Sequence, residues 1–111
     1  MIVDDNEVVR RLIRSIVADL VEEIYECADG AEALSSYHLY RQGVVLMDLE
    51  MPEVDGIAAT RQIKETSPDA KIIIVSAHDN PILRRAAEDA GARAFVSKEN
   101  LLELRLIMRA P

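Results

Sequence analysis

The chain reads as an α/β protein, a doubly wound parallel sheet of five strands with helices on both faces. Three observations carry that reading. Short apolar runs alternate along the chain with segments of helical period. Two runs, Val44-Val45-Leu46-Met47 and Ile72-Ile73-Ile74-Val75, are continuous rather than alternating, as strands covered on both faces are. Turn-forming residues fall between the segments, and a strand–helix repeat of this kind builds right-handed crossovers around a parallel sheet.

The first run, residues 1–3, is the shortest. A central strand commonly holds five or six residues, so about four further apolar residues upstream of Met1 are expected to complete it. A full-length form should then melt at a higher temperature. After it, Val9, Ile13, Ile16, Val17 and Leu20 make a stripe of period 3.6 and predict the first helix. The run at 24–28 predicts a strand, Asp29-Gly30 a turn, and 31–40 a helix on which His38 is solvated. The run at 44–47 is the third strand. Asp55-Gly56 is read as a turn and helix start without chemistry, opening a helix over 56–66. Ser67-Pro68-Asp69 turns the chain into the fourth strand at 71–75. Asn80-Pro81 supplies an N-cap and a proline at the first helical position for 81–90, which Gly91 terminates. The run at 93–96 is the fifth strand and 99–108 the last helix.

The 111 residues suit one domain, 1–111, with a linker expected to begin near 110–111. Half the residues are hydrophobic and 30% charged, which excludes a disordered chain. No stretch reaches the roughly 20 apolar residues that span a bilayer, and the first residues lack a signal peptide's basic and apolar regions. The single cysteine, Cys27, excludes an internal disulfide and reads as a buried thiol. These features accord with a cytoplasmic protein. A formal charge of −7 argues against direct binding to a nucleic-acid backbone, which needs a basic footprint.

Ligands of open parallel sheets sit beyond the carboxyl ends of the strands. There the sequence delivers Asp4 and Asp5 after the first strand, Asp48 at the third, Ser76 at the fourth and Lys98 at the fifth. Three converging carboxylates repel unless a cation gathers them. Mg²⁺ takes oxygen ligands and commonly pairs one or two carboxylates with a phosphate. A carboxylate can also accept a phosphoryl group as an acyl phosphate, a transfer that depends on positioning and charge cancellation, here from the cation, Lys98 and Ser76.

Four blocks carry a family likeness: Ile2-Val3-Asp4-Asp5-Asn6, the stretch from Val44 to Gly56, Ile74-Val75-Ser76-Ala77, and Ala94-Phe95-Val96-Ser97-Lys98. In this order and at these intervals they resemble the signature of response-regulator receiver domains of two-component signalling. The resemblance implies a flavodoxin-like (βα)5 fold with strand order 2-1-3-4-5. By position it implies that Asp48 is the phosphoacceptor, Asp5 the direct ligand of Mg²⁺ (or Mn²⁺) and Asp4 a ligand through water. The backbone carbonyl of Glu50 would complete the protein's share of the coordination. Ser76 and Lys98 would hold the phosphoryl oxygens, and Phe95, otherwise a core residue, would be an aromatic switch that turns inward with Ser76. Glu50 and His78 fall at variable positions flanking the site and are expected to tune the lifetime of the acyl phosphate.

Such a chain would take its phosphoryl group from a histidine kinase or histidine phosphotransfer protein. It would not be a turnover enzyme, although it would promote its own phosphotransfer and autodephosphorylation. Two features depart from, or extend, the pattern. Glu99 stands where many receivers have proline, so that loop is expected to be set differently. Leu101, Leu102, Leu104, Leu106, Ile107 and Met108 exceed one buried stripe, so the face of the fourth helix, fifth strand and last helix is expected to meet a second copy or an output domain. The stretch from Lys98 to Leu104 is similar to receivers joined to helix-turn-helix outputs. Two rivals remain at this level: a receiver-like interaction module that takes no phosphate, and an aspartate-nucleophile phosphohydrolase. Leu49-Glu50-Met51-Pro52 lacks the second aspartate, glycine and hydroxyl residue of the latter.

Overall fold

A computed structural model describes residues 1–40 and 43–110; Pro111, where a linker is expected, lies outside the described residues. Strands β1 (Ile2–Val3), β2 (Glu26–Cys27), β3 (Val45–Asp48), β4 (Ile72–Ser76) and β5 (Ala94–Ser97) alternate with helices α1 (Glu7–Val17), α2 (Gly30–Tyr40), α3 (Gly56–Thr66), α4 (Pro81–Ala90) and α5 (Glu103–Arg109). Every pairing is parallel and the order is β2-β1-β3-β4-β5. This is the flavodoxin-like arrangement, and β1 and β3 are adjacent at the point where the strand order reverses.

The continuous apolar runs are explained by the two faces of the sheet. Ile72 and Ile74 of β4 join a cluster with Val3, Val45, Met47, Ala59 and Ile63 under α2, α3 and α4. Ile73 and Val75 point the other way and join Ile2, Leu46, Val96, Ile13, Val17 and Leu104 against α1 and α5. Each fully buried Ile or Leu contributes about 1.5–3 kcal/mol relative to an exposed one. A mixed polar strand would forfeit one of these faces.

Local signals set the helix ends. Asn6 Oδ1 accepts the Val9 amide at 3.1 Å and starts α1. Asp29 accepts the Glu32 amide at 2.8 Å while Glu32 reaches back to the Ala28 amide at 3.2 Å, a reciprocal cap for α2. Asn80 accepts the Leu83 amide at 2.9 Å ahead of Pro81. Gly91 closes α4 at φ 103°, a left-handed conformation that a side chain would strain. At the far end of the chain, Arg105 forks onto Asp19 at 2.6 and 3.0 Å and donates to the Ile16 carbonyl, tying α5 to the end of α1.

Three boundaries differ from the sequence reading by more than one residue. The second strand covers Glu26–Cys27 rather than 24–28, because its one neighbour, β1, offers only two residues to pair with. The stripe that reaches Leu20 is helical to Val17 and then tightens into a 3₁₀ turn, Ala18–Leu20. The last helix begins at Glu103, not at residue 99. Ser97 Oγ accepts the Glu99 amide at 3.2 Å and winds Lys98–Asn100 into a 3₁₀ turn first. Of the last helix's apolar excess, Leu101 and Leu104 are buried while Leu102 and Leu106 are 68% and 72% exposed. His38 is exposed and Cys27 buried, both as the sequence implies.

Candidate functional site

The carboxyl ends of β1, β3, β4 and β5 meet at one point because the sheet is parallel and the register holds Asp48 beside Val75 and Ser76 beside Ser97. Asp4, Asp5 and Asp48 each place a carboxylate oxygen within 4.8 Å of the other two. Asp4 and Asp48 are buried and Asp5 is exposed. The Asp4 carboxylate is aimed by its own backbone: Oδ1 accepts the Asn6 amide at 2.8 Å, and Arg10 holds the Asp4 carbonyl at 2.6 Å. That turns Oδ2, which is buried, toward Lys98.

Lys98 answers this charge. Its Nζ lies 2.8 Å from Asp4 Oδ2 and 2.9 Å from Asp48 Oδ1. Burial of the ammonium works to lower its pKa, but the contacts with Asp4 and Asp48 prevail and raise it above the ordinary lysine value. Asp48 moves the other way from a free carboxylate. Burial pushes it up to about 6, Lys98 opposes the shift, and the charges of Asp4 and Asp5 add to it. One ammonium is therefore too little charge for three carboxylates. Three carboxylate oxygens within 4.8 Å of one another, two of them on buried residues, are what a hard divalent cation fits.

The loop after β3 is shaped around Asp48. The Gly56 amide donates to the Leu49 carbonyl at 2.9 Å, and a Cβ on Gly56 would sit 2.0 Å from the Asp48 carbonyl oxygen. Only glycine lets α3 start so close to the acceptor's backbone. Asp55 then caps α3 by accepting the Ala58 amide at 2.8 Å. In the same loop Glu53 adopts φ 64°, a left-handed conformation that is costly for a side chain with Cβ and is found where loops are constrained near sites. Reading Asp55-Gly56 as a plain helix start missed this; the glycine eight residues past Asp48 was its only signal.

The rim is built from the loops after β3 and β4. Glu50 and His78 are both 62% exposed and pair through Oε1 and Nδ1 across the mouth of the site. Ser76 is buried, and its hydroxyl accepts the His78 amide at 3.0 Å. Phe95, two residues before Ser97 on β5, is 8% exposed, with the Arg84 guanidinium 4.9 Å over its ring. The structure thus brings Asp4, Asp5, Asp48 and Lys98 together and sets Glu50, His78 and Ser76 around them, while Phe95 lies deeper, against α4.

The model of the response regulator receiver domain matches residues 1–109. The chain belongs to the receiver family. It is 37% identical over 98 residues to the chemotaxis protein CheY of Halobacterium salinarum, covering 88% of the receiver and 82% of that protein. It is 37% identical over 101 residues to the response regulator UvrY of Escherichia coli, again covering 88% of the receiver but 46% of that protein. The receiver therefore spans most of the CheY relative and about half the length of UvrY. Among solved structures, a LuxR-family two-component response regulator from Aurantimonas superposes with a TM-score of 0.88 at 31% identity, covering 97% of the receiver and 82% of that chain. The CheX–CheY–BeF₃–Mg²⁺ complex from Borrelia burgdorferi superposes at 0.88 with 26% identity, covering 99% and 87%. The receiver's place in two-component response regulation is thereby established. Among the described residues no helix is long and apolar enough to cross a membrane.

Proposed function

We propose that this receiver accepts a phosphoryl group on Asp48 from a phosphohistidine of a sensor kinase or phosphotransfer protein, and that the event alters the α4-β5-α5 face. The observation that carries the reading is the buried Asp48 carboxylate held between Lys98 and two further carboxylates at the sheet's carboxyl edge. Asp48 is the nucleophile: one carboxylate oxygen bonds to phosphorus as the phosphorus–nitrogen bond of the donor imidazole breaks, and the electron pair leaves with the imidazole. Asp5 and Asp48, with Asp4 behind a water and the Glu50 carbonyl, would hold Mg²⁺ or Mn²⁺, which supplies charge cancellation at the phosphoryl oxygens when bound. Lys98 needs only to exchange its Asp48 contact for a phosphoryl oxygen, keeping Asp4 as counter-charge. Ser76 would donate its hydroxyl to a second oxygen. The CheY relative crystallised with BeF₃ and Mg²⁺ supports the same chemistry here.

Glu50 and His78, paired over the mouth, would govern how water reaches the acyl phosphate. The exposed Ile82, Leu102 and Leu106 on α4 and the last helical segment supply apolar area for a second copy or an attached output domain. The receiver would work in the cytoplasm, as a regulatory protein rather than a turnover enzyme.

Incubation with acetyl phosphate and Mg²⁺ tests the proposal by intact mass. One phosphoryl adduct is expected, lost in Asp48→Asn and in chelator. No adduct with acetyl phosphate, and no response to beryllofluoride, would favour the phosphate-independent interaction module. Release of many equivalents of phosphate from an ester would revive the phosphohydrolase.

A further inference from the structure

Phe95 is almost fully buried, and what covers it is a charged residue on the protein surface. Arg84, on the first turns of α4, is about half exposed and lies with its guanidinium 4.9 Å over the ring. That guanidinium is not free to choose its position. Its Nε and Nη2 fork onto the two oxygens of Asp79 at 2.6 and 2.9 Å, a bidentate pair with a fixed plane. Asp79 sits in the loop between β4 and α4, next to His78, whose amide is bonded to Ser76 Oγ. Beside the ring a groove of about 480 Å³, lined by Ala87, Ala92, Arg93 and Arg84 itself, gives it space to leave the core.

From these contacts we infer that Arg84 is a positioning residue: tethered by Asp79, it caps Phe95 and couples the ring's place in the core to the loop that carries Ser76 and His78. The chain of contacts is continuous, from the Ser76 hydroxyl to the His78 backbone, through one peptide to Asp79, across the fork to Arg84, and onto the ring. A shift of the loop toward the Asp48 site drags the guanidinium with it. Conversely, the ring leaves only when the fork opens or the cap slides. The fork and the cap thus hold the ring inward, and phosphorylation of Asp48 would act on the ring through this loop. Arg84 lies eleven positions from Phe95 on a different element, and no spacing rule joins them. The inference rests on the proposed phosphorylation of Asp48 only for its last step. The tether itself rests on the contacts of Asp79, Arg84 and Phe95 alone.

Phe95 is the sole phenylalanine, so incorporating 4-fluorophenylalanine gives one ¹⁹F reporter. Its resonance in H₂O and in D₂O reads solvent access to the ring, in the parent, Arg84→Ala, Arg84→Lys and Asp79→Asn, before and after beryllofluoride with Mg²⁺. Before addition, the parent should show little solvent dependence. Arg84→Ala and Asp79→Asn should both lower the inward-to-outward ratio, by about two- to fivefold if the cap acts as an ordinary cation–π contact. Arg84→Lys, which keeps the charge but loses the fork, should resemble Asp79→Asn. After addition, the variants should return toward the parent resonance while the parent moves little. A parent-like resonance in Asp79→Asn would overturn the tether, because its ring and Arg84 are untouched. A large inward movement of the parent's ring on beryllofluoride would overturn the claim that the Arg84 cap holds it inward. If beryllofluoride moves no resonance in any protein and intact mass shows no phosphoryl adduct, the phosphoacceptor reading fails, and the measurements before addition still decide the tether.

Discussion

Asp48 is expected to weaken the fold by carrying its charge into a buried position, and Asp48→Asn measures by how much. Burial raises the Asp48 carboxyl from an ordinary value of 3.8 to about 6, so the folded chain binds that proton more tightly than the unfolded chain does. An acid raised in this way contributes stability that is fully present below its unfolded pKa and is lost as pH rises through about 6. The residue is 4% exposed, so solvent screens little of the effect. About two units at 1.36 kcal/mol each make a cost of about 3 kcal/mol at pH 7.5. Asparagine keeps the shape and carries no charge, so in chelator the variant should be more stable than the parent by up to that amount, roughly 10 °C in melting temperature for a domain of this size. At pH 4.5, where the parent's folded form is already mostly protonated, the gain should shrink to about 1 kcal/mol. Saturating Mg²⁺ should shrink it at pH 7.5, because a bound cation favours the ionised parent. Thermal unfolding followed by circular dichroism reads all three conditions. A variant no more stable than the parent at pH 7.5, or a gain that does not change between pH 4.5 and 7.5, would refute the reasoning.

Three further outcomes follow from the same geometry. Gly56→Ala should cost about 1–3 kcal/mol or more, because its Cβ must displace α3 from the Asp48 carbonyl 2.0 Å away, and it should slow adduct formation beyond what the lost stability explains; denaturant unfolding beside adduct kinetics separates the two. Lys98→Ala removes the one ammonium seated among the three carboxylates, so the metal-free protein should lose stability at pH 7.5 and recover part of it on adding Mg²⁺, read by melting temperature; equal melting with and without Mg²⁺ would count against the cation site. Glu50→Ala and His78→Ala should each change the decay rate of the phosphorylated protein by more than twofold, since either opens the same pair over the site; decay within twofold of the parent would assign the pair to the loop alone.

Most of the fold was readable from sequence because burial on two faces writes itself into β4 as an unbroken run: Ile72 and Ile74 serve one core, Ile73 and Val75 the other. Where a boundary depends on a neighbour, the local pattern does not contain it. The apolar run at 24–28 has the composition of a longer strand, yet its ladder stops where β1 stops. The last helix starts late because one hydroxyl, that of Ser97, captures the Glu99 amide, a competition between turn and helix that apolar periodicity does not register. The candidate site was readable for a different reason: a parallel sheet collects strand ends, so acidic residues ending separate runs must meet. The sequence could not show that Lys98 bridges Asp4 and Asp48 or that Gly56 clears the acceptor's carbonyl. The same holds for the fork of Arg84 onto Asp79. Each depends on distances between elements.

The central claim is that one carboxylate, that of Asp48, takes the phosphoryl group. Reduction of the freshly phosphorylated protein with borohydride converts an aspartyl phosphate to homoserine, and peptide mass mapping then reports its position. The account expects homoserine at residue 48, only when Mg²⁺ and a phosphoryl donor are both present. Homoserine at Asp4, Asp5 or any other residue, or a phosphoryl adduct that borohydride leaves unchanged, would contradict it.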